Sequence, residues 1–348
     1  MLEPALLVEV TRGAEVESRH RGHLAVVDPH GDVVAQLGDI ATRTHFRSAA
    51  KPFQAIPIVA TGAADHFQLT TQELAVINGS HSGEPQHLAA VQSILDKIGL
   101  PETALQCGVH TPFDEVAAKQ LRAAGQTPRV LHNNCSGKHA GMLALARFLN
   151  EPIENYLDPE HPIQRLIRQT LAQFCAVAAD SIGVAVDGCS APVFSTSIAA
   201  MARSYAQLVG VAHTEIAADT ALAQAATRVV KAFVEHPVMI GGTRNRLDTD
   251  LMQAAPGQLI SKVGAEGVQL LGVLPCAQYP RGLGIALKLE DGDIKRARDP
   301  VVVETLRQLG LLNDEQLVQM APYARATVYN HRKLVVGEVH ACFALQKA

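Results

Sequence analysis

The spacing of apolar and polar residues changes character twice along the chain. Residues 23–28 (HLAVVD) and 33–37 (VVAQL) are short β-rich runs flanking Pro29-His30-Gly31, which predicts a hairpin. Helical spacing then dominates and predicts helices over 48–60, 85–98, 114–124, 137–149, 162–178, 193–208 and 214–235. Thr70-Thr71-Gln72-Glu73 has capping-box spacing, so a further helix opens there and stops at Asn78-Gly79. After about residue 256 strands return as QLISKVGAEG, VQLLGVLP and LGIALKLEDGD, the last ending on an Asp-Gly turn. A helical piece over 300–310 and a final strand over 334–345 close the chain.

Strands at both ends around a helical middle predict an α/β (α+β) fold. One antiparallel sheet is built from both chain ends, with an inserted helical lobe. The expected division is a single domain of two lobes: a sheet lobe from about 1–60 and 256–348, and a helical lobe over about 61–255. With 348 residues, 47% of them hydrophobic, the chain can bury a large core. No internal repeat or low-complexity linker interrupts it.

Composition narrows the partners. The net charge of −4 offers no basic field for nucleic acid, and aromatics at 4% with no Trp leave few stacking platforms, so a small polar substrate fits better than a polymer. No apolar run approaches the ~18 residues of a membrane span. The N-terminal MLEPALLVEVTRG lacks the basic-then-apolar layout of an export signal, so a soluble, cytoplasmic protein is expected. Six scattered cysteines without an export signal argue against a disulfide framework.

The first candidate chemistry lies in HFRSAAKPFQA (45–55). On a helix, Ser48 and Lys51 share a face, and a lysine lowered in pKa by burial or nearby positive charge can take a serine's proton. Alone, S-x-x-K is a common accident. Two more pieces follow in order: Ser80-His81-Ser82 after a helix end, and Lys262-Val263-Gly264 on a strand. Serine β-lactamases carry S-x-x-K, Ser-Asp-Asn and Lys-Thr-Gly in the same sequence. Gly79-Ser-His-Ser-Gly83 is not a nucleophile elbow, because His81 takes its central position. Gly137-Lys138 is not a phosphate loop, because His132 stands where that loop needs glycine.

The second candidate is a pair of cysteine loops, HNNCSGKHAG (132–141) and DGCSAP (187–192). Cys135 and Cys189 stand among small polar residues rather than in apolar runs. Two thiolates from separate loops can bind zinc with a third ligand, for which His139 is the conventional choice and Lys138 a rarer one. Ordinary packed loop cysteines are the competing reading.

Five stretches, FRSAAKPFQA, INGSHSGE, HNNCSGKHAGML, DGCSAPVF and ISKVGAEG, together resemble the rhizobial-type (class 3) L-asparaginases nearly end to end. The resemblance implies a fold similar to serine β-lactamases and glutaminases, a homodimer, and hydrolysis of L-asparagine to aspartate and ammonia. It implies two Ser–Lys pairs, Ser48-Lys51 and Ser80-Lys262, and a zinc ion (Zn2+) held by Cys135, Lys138 and Cys189 beside the substrate. Arg47, His81, Asn133, Asn134, His139 and Asp187 fall in the same motifs and are expected near the pocket. His81-Ser82 and Val263 depart from the β-lactamase pattern, which puts penicillin-like substrates in doubt. Ser48 is the expected nucleophile, with Lys51 as its base. A glutaminase, a β-lactamase-like amidase or peptidase, and a non-catalytic zinc-stabilised binding protein are the alternatives.

Overall fold

In the computed structural model, which describes residues 3–347, strand formation begins earlier than the hydrophobic pattern predicts. The strands are β1 (Ala5–Arg12), β2 (Glu15–Val27), β3 (Val33–Leu37), β4 (Arg43–His45), β5 (Gly183–Val186) and β6 (Pro192–Ser197). After the helices come β7 (Leu259–Val263), β8 (Val268–Val273), β9 (Leu283–Leu289), β10 (Arg325–Tyr329), β11 (Val335–Ala341) and β12 (Gln346–Lys347). The expected run 23–28 is the buried half of β2; its other half is largely exposed and polar, and so carried no apolar signal. The predicted hairpin pairs β2 with β3 across Pro29–Gly31.

Among the described residues nine strands form one sheet, with the path β10-β11-β1-β2-β9-β8-β7 and β3 joining β2 to β12. Every pairing is antiparallel, and β2 lies directly against β9, with Val26 opposite Ile285. The sheet is therefore built from both ends of the chain, as expected.

The main helices are α1 (Lys51–Ala60), α2 (Thr71–Asn78), α3 (Pro85–Ile98), α4 (Ser136–Phe148), α5 (Pro162–Cys175), α6 (Ile198–Val209), α7 (Thr220–Glu235), α8 (Leu247–Ala254), α9 (Asp299–Gln308) and α10 (Asp314–Ala324). None is long and apolar enough to cross a membrane. The box at Thr70 forms: Glu73 N–H donates to Thr70 Oγ1 (3.2 Å) and Thr70 N–H to Glu73 Oε2 (2.7 Å). α6 lies on the sheet because β9 has Gly284 beneath it, where a Cβ would overlap the Ala202 carbonyl.

Several boundaries differ from expectation. The helix expected over 193–208 begins as a strand, because Val193-Phe194-Ser195-Thr196 pairs with β4 and β5 in a second, three-stranded sheet before α6 starts. Residues 48–50 belong to a tight 3-10 turn, Arg47–Ala50, and α1 proper starts at Lys51. Between the Asp-Gly turn at 291–292 and α9, which fills the helical piece expected over 300–310, the chain makes a wide π-type turn over Ile294–Arg298. α10 and β10 lie where no element was expected.

Candidate active site

Phe46 is fully buried, and its N–H donates to the Phe194 carbonyl of β6 (2.9 Å), which anchors the turn carrying Arg47 and Ser48. Three residues after Ser48, Lys51 opens α1, with Pro52 at the start of the helix, where a missing N–H costs nothing. The Lys51 side chain runs into the interior and is fully buried. Its Nζ donates to the Gly79 carbonyl, to Ser80 Oγ (3.1 Å) and to the Asn134 carbonyl (3.3 Å). Those three acceptors match the three N–H donors of an ammonium. Ser48 Oγ is not among them: the lysine expected to serve Ser48 reaches the other serine.

Ser80 follows directly on the end of α2, held by its N–H on the Ile240 carbonyl (2.8 Å). From the opposite side Lys262 of β7 places Nζ 2.8 Å from the same Oγ and 2.9 Å from the Val263 carbonyl. Two buried lysines thus converge on one serine oxygen. Burial first, and then the Lys51 charge, hold Lys262 well below the ordinary lysine range, while Asp248 opposes them. Lys51 is also lowered by burial, but Cys135 opposes the shift. The arrangement fits an ammonium at Lys51 and a neutral amine at Lys262. Ser48 and Ser80 both line a cavity of about 1120 Å³, with Asn134, Arg246, Val263 and Tyr323.

The cysteine loops converge next to this cluster. Cys135 immediately precedes α4, whose Gly137 passes so close to α2 that a Cβ would overlap the Val76 carbonyl. Lys138, one turn into α4, donates from Nζ to Cys189 Sγ (2.9 Å), and the two thiols share a hydrogen bond. Both cysteines and Lys138 are buried. The hydrogen bond from Cys189 lowers the Cys135 thiol well below its usual range, aided by Lys51 and Lys138, while the same bond and burial raise Cys189. Burial opposes the Lys138 charge, but the two cysteines outweigh it and raise its pKa. Among the described residues no group of three or more His, Cys, Asp or Glu is placed to hold a metal, so a metal here depends on Lys138 as its third ligand.

The remaining expected residues divide. Asn133 shapes the cysteine loop: its Oδ1 accepts from Cys135 N–H (2.8 Å) and its amide donates to the Cys107 carbonyl (2.8 Å). Asn134 lines the main cavity, with its N–H on His110 Nε2 (2.8 Å). Arg47 donates from Nε to Asp187 Oδ1 (2.8 Å) and lines a separate cavity of about 370 Å³. His81 is fully buried and turned away from solvent; Gly83 N–H donates to its Nδ1 (3.2 Å), so its Nε2 donates to Ser136 Oγ (2.9 Å). His139 is also buried, with Nδ1 on Tyr156 hydroxyl (2.7 Å) and Nε2 without a partner.

The family model for L-asparaginase II matches residues 8–341. The chain belongs to the L-asparaginase II family. It is accordingly an amidohydrolase, which bears out the family resemblance carried by the five motifs. No curated protein matches the chain. Among solved structures it is similar to a probable glutaminase from Bacillus subtilis complexed with 6-diazo-5-oxo-L-norleucine, at 13% identity over 84% of each chain and a TM-score of 0.40. It is also similar to a beta-lactamase from Burkholderia ambifaria, at 14% identity over 83% of this chain and 92% of that one, with a TM-score of 0.38. Both likenesses are distant, and neither bears on the chemistry of the site.

Two residues of this L-asparaginase II family member escape a reading of its sequence. Arg246 donates to the Ser80 carbonyl (2.7 Å), to Ser82 Oγ (2.7 Å) and to the Gly241 carbonyl (3.0 Å), clamping the serine loop. Asp248 is buried and accepts from Ser261 Oγ (2.7 Å), Gln269 Nε2 (2.8 Å) and Val263 N–H (2.9 Å), bracketing Lys262 on both sides along β7. The signal was the charged run Arg244-Asn245-Arg246-Leu247-Asp248, indistinguishable in sequence from a solvated helix start.

Proposed function

We propose that the protein hydrolyses L-asparagine to L-aspartate and ammonia through an acyl-enzyme formed on a serine of the Ser48/Ser80 cluster. The observation that carries this reading is the convergence of Lys51 and Lys262 on Ser80 at a cavity whose wall also holds Ser48. Family membership supplies the substrate class.

Ser48 is half-buried on the cavity wall and within a substrate's reach, whereas Ser80 is 3% exposed. In the proposed sequence Ser48 Oγ attacks the side-chain amide carbon and gives its proton to Ser80, whose own proton passes to the neutral Lys262 amine. The Lys51 ammonium holds the Ser80 oxygen throughout. The Ser48 N–H lies in the first turn of its helical segment, where no intrahelical acceptor exists, and is the proposed oxyanion donor. The C–N bond then breaks, ammonia leaves with a proton returned through Ser80, and water cleaves the aspartyl ester by the same route. A second reading exchanges the serines, with Ser80 as nucleophile; its two lysine hydrogen bonds favour it.

Cys135, Cys189 and Lys138 form the zinc site of this proposal. The three side chains already lie together, and once their protons are released two thiolates and an amine would suit a borderline-soft ion. Zinc bound there would act as a Lewis acid that anchors the charged end of the substrate. The homodimer is part of the same proposal, and a solution mass of one 37.1 kDa chain would sink it.

Ammonia release tests the activity. Purified protein is expected to release ammonia from L-asparagine, with L-glutamine poorer, since one methylene is worth about 1–3 kcal/mol in a fitted pocket. Faster release from glutamine would make the chain a glutaminase, and none from either would leave the non-catalytic binder.

A further inference from the structure

On the far side of α6 from the active site lies a cavity of about 330 Å³, closed by the hairpin turn at Pro29-His30, the end of α5 and the segment Thr214–Asp219. Its floor holds two polar side chains that nothing in the fold uses. Gln207 is 5% exposed as a residue, and its amide, open to the cavity, makes no hydrogen bond among the described residues. Arg203, one turn earlier on α6, is half-buried, with no ion pair among the described residues and its buried Nε unpartnered. The Arg203 side chain packs against the turn at Gly31, where a Cβ would sit only 3.2–3.4 Å from its Cδ, Nε and Cζ.

A buried donor without a partner costs about 1–3 kcal/mol, more on a charged group, and folds rarely leave one such as Arg203 Nε idle. Across the cavity stand two carboxylates, Glu215 and Asp219. Asp219 spends one oxygen on the N–H groups of Ala221 and Leu222 at the start of α7 and keeps the other. Glu215 is exposed and without a salt bridge among the described residues. One wall therefore offers a fork of donors and the other offers negative charge, within a space suited to a small molecule.

We infer that this cavity is a second binding site, for a zwitterionic α-amino acid whose carboxylate is held by Arg203 and Gln207 and whose ammonium faces Glu215 and Asp219. A guanidinium matches a carboxylate in two parallel hydrogen bonds, and the Gln207 amide adds a third donor. A plain dicarboxylate would meet the acidic wall, and a plain amine would meet Arg203; only a molecule with both charges satisfies both sides. The helix that carries the site also carries Tyr205, whose hydroxyl donates to the Ala49 carbonyl (2.9 Å) next to Ser48.

Titration calorimetry with L-aspartate tests the inference by counting sites. Arg203→Leu is expected to bind one L-aspartate fewer per chain than the wild type, while its circular dichroism and unfolding midpoint report that the variant is folded. If the active-site reading is wrong, the counts fall from one to none; if it is right, from two to one. An equal count in wild type and Arg203→Leu overturns the second site. Glu215→Ala lies on an exposed turn and stands in should Arg203→Leu fail to fold. It should weaken L-aspartate at this site about two- to fivefold, leaving succinate no weaker. Unchanged L-aspartate affinity in Glu215→Ala overturns the zwitterion assignment.

Discussion

At the residue scale the site is governed by the sign of the charges around Lys262. As the proposed base it must be neutral, so activity rises with pH as Lys262 loses its proton. Burial and the Lys51 ammonium lower its pKa and move that rise to lower pH, while Asp248 moves it back. Two substitutions should therefore displace the acid limb in opposite directions. Lys51→Met removes a positive neighbour, so Lys262 holds its proton longer and the limb moves to higher pH. Asp248→Asn removes a negative one, and the limb moves to lower pH. Profiles of kcat/KM against pH for both variants check this; shifts of the same sign would show that Lys262 is not the group being titrated.

The same scale shows what a sequence can and cannot disclose. Ser48, Lys51, Ser80 and Lys262 were legible because their spacing and order carry chemical meaning, and the structure brings them to one cavity or one serine oxygen. Of the two expected pairs, Ser80–Lys262 forms and Ser48–Lys51 does not. Helical spacing put Lys51 beside Ser48, but the long lysine side chain is drawn to three oxygen acceptors in the interior. His81 and Asn133 look like ligand-facing groups in sequence, yet each ties its own loop to a neighbouring segment, His81 through Gly83 and Ser136 and Asn133 through Cys135 and Cys107.

At the scale of elements, the helix that delivers Ser80 was predicted at both ends, since the Thr70–Glu73 box is local chemistry and needs no tertiary context. β6 was misread because its apolar residues fit either period and only pairing with β4 and β5 decides it. Asp248 was invisible because its importance lies in the neighbours that β7 and β8 bring to it. Thr70→Ala removes one half of the box and should cost about 1 kcal/mol in denaturant unfolding. A midpoint equal to the wild type's would show that the box contributes nothing to this helix.

At the scale of the molecule, the sheet from both ends and the helices between them place β7, α2 and α4 around one point. That convergence, more than any single motif, makes the serine–lysine cluster and the cysteine pair neighbours. If the cysteines serve a metal, purified protein should carry close to one zinc per chain by elemental analysis, and Cys135→Ser should carry far less. Equal, negligible zinc in both would leave Cys135, Cys189 and Lys138 as a buried hydrogen-bonded cluster that shapes the pocket.

The central claim is that amide cleavage passes through an ester on Ser48. Acid quenching during L-asparagine turnover, followed by peptide mapping in a mass spectrometer, tests it most directly. The expected result is an aspartyl adduct on Ser48 that is absent in Ser48→Ala. An adduct on Ser80 would exchange the roles of the two serines, and turnover with no adduct on either would contradict the acyl-enzyme altogether.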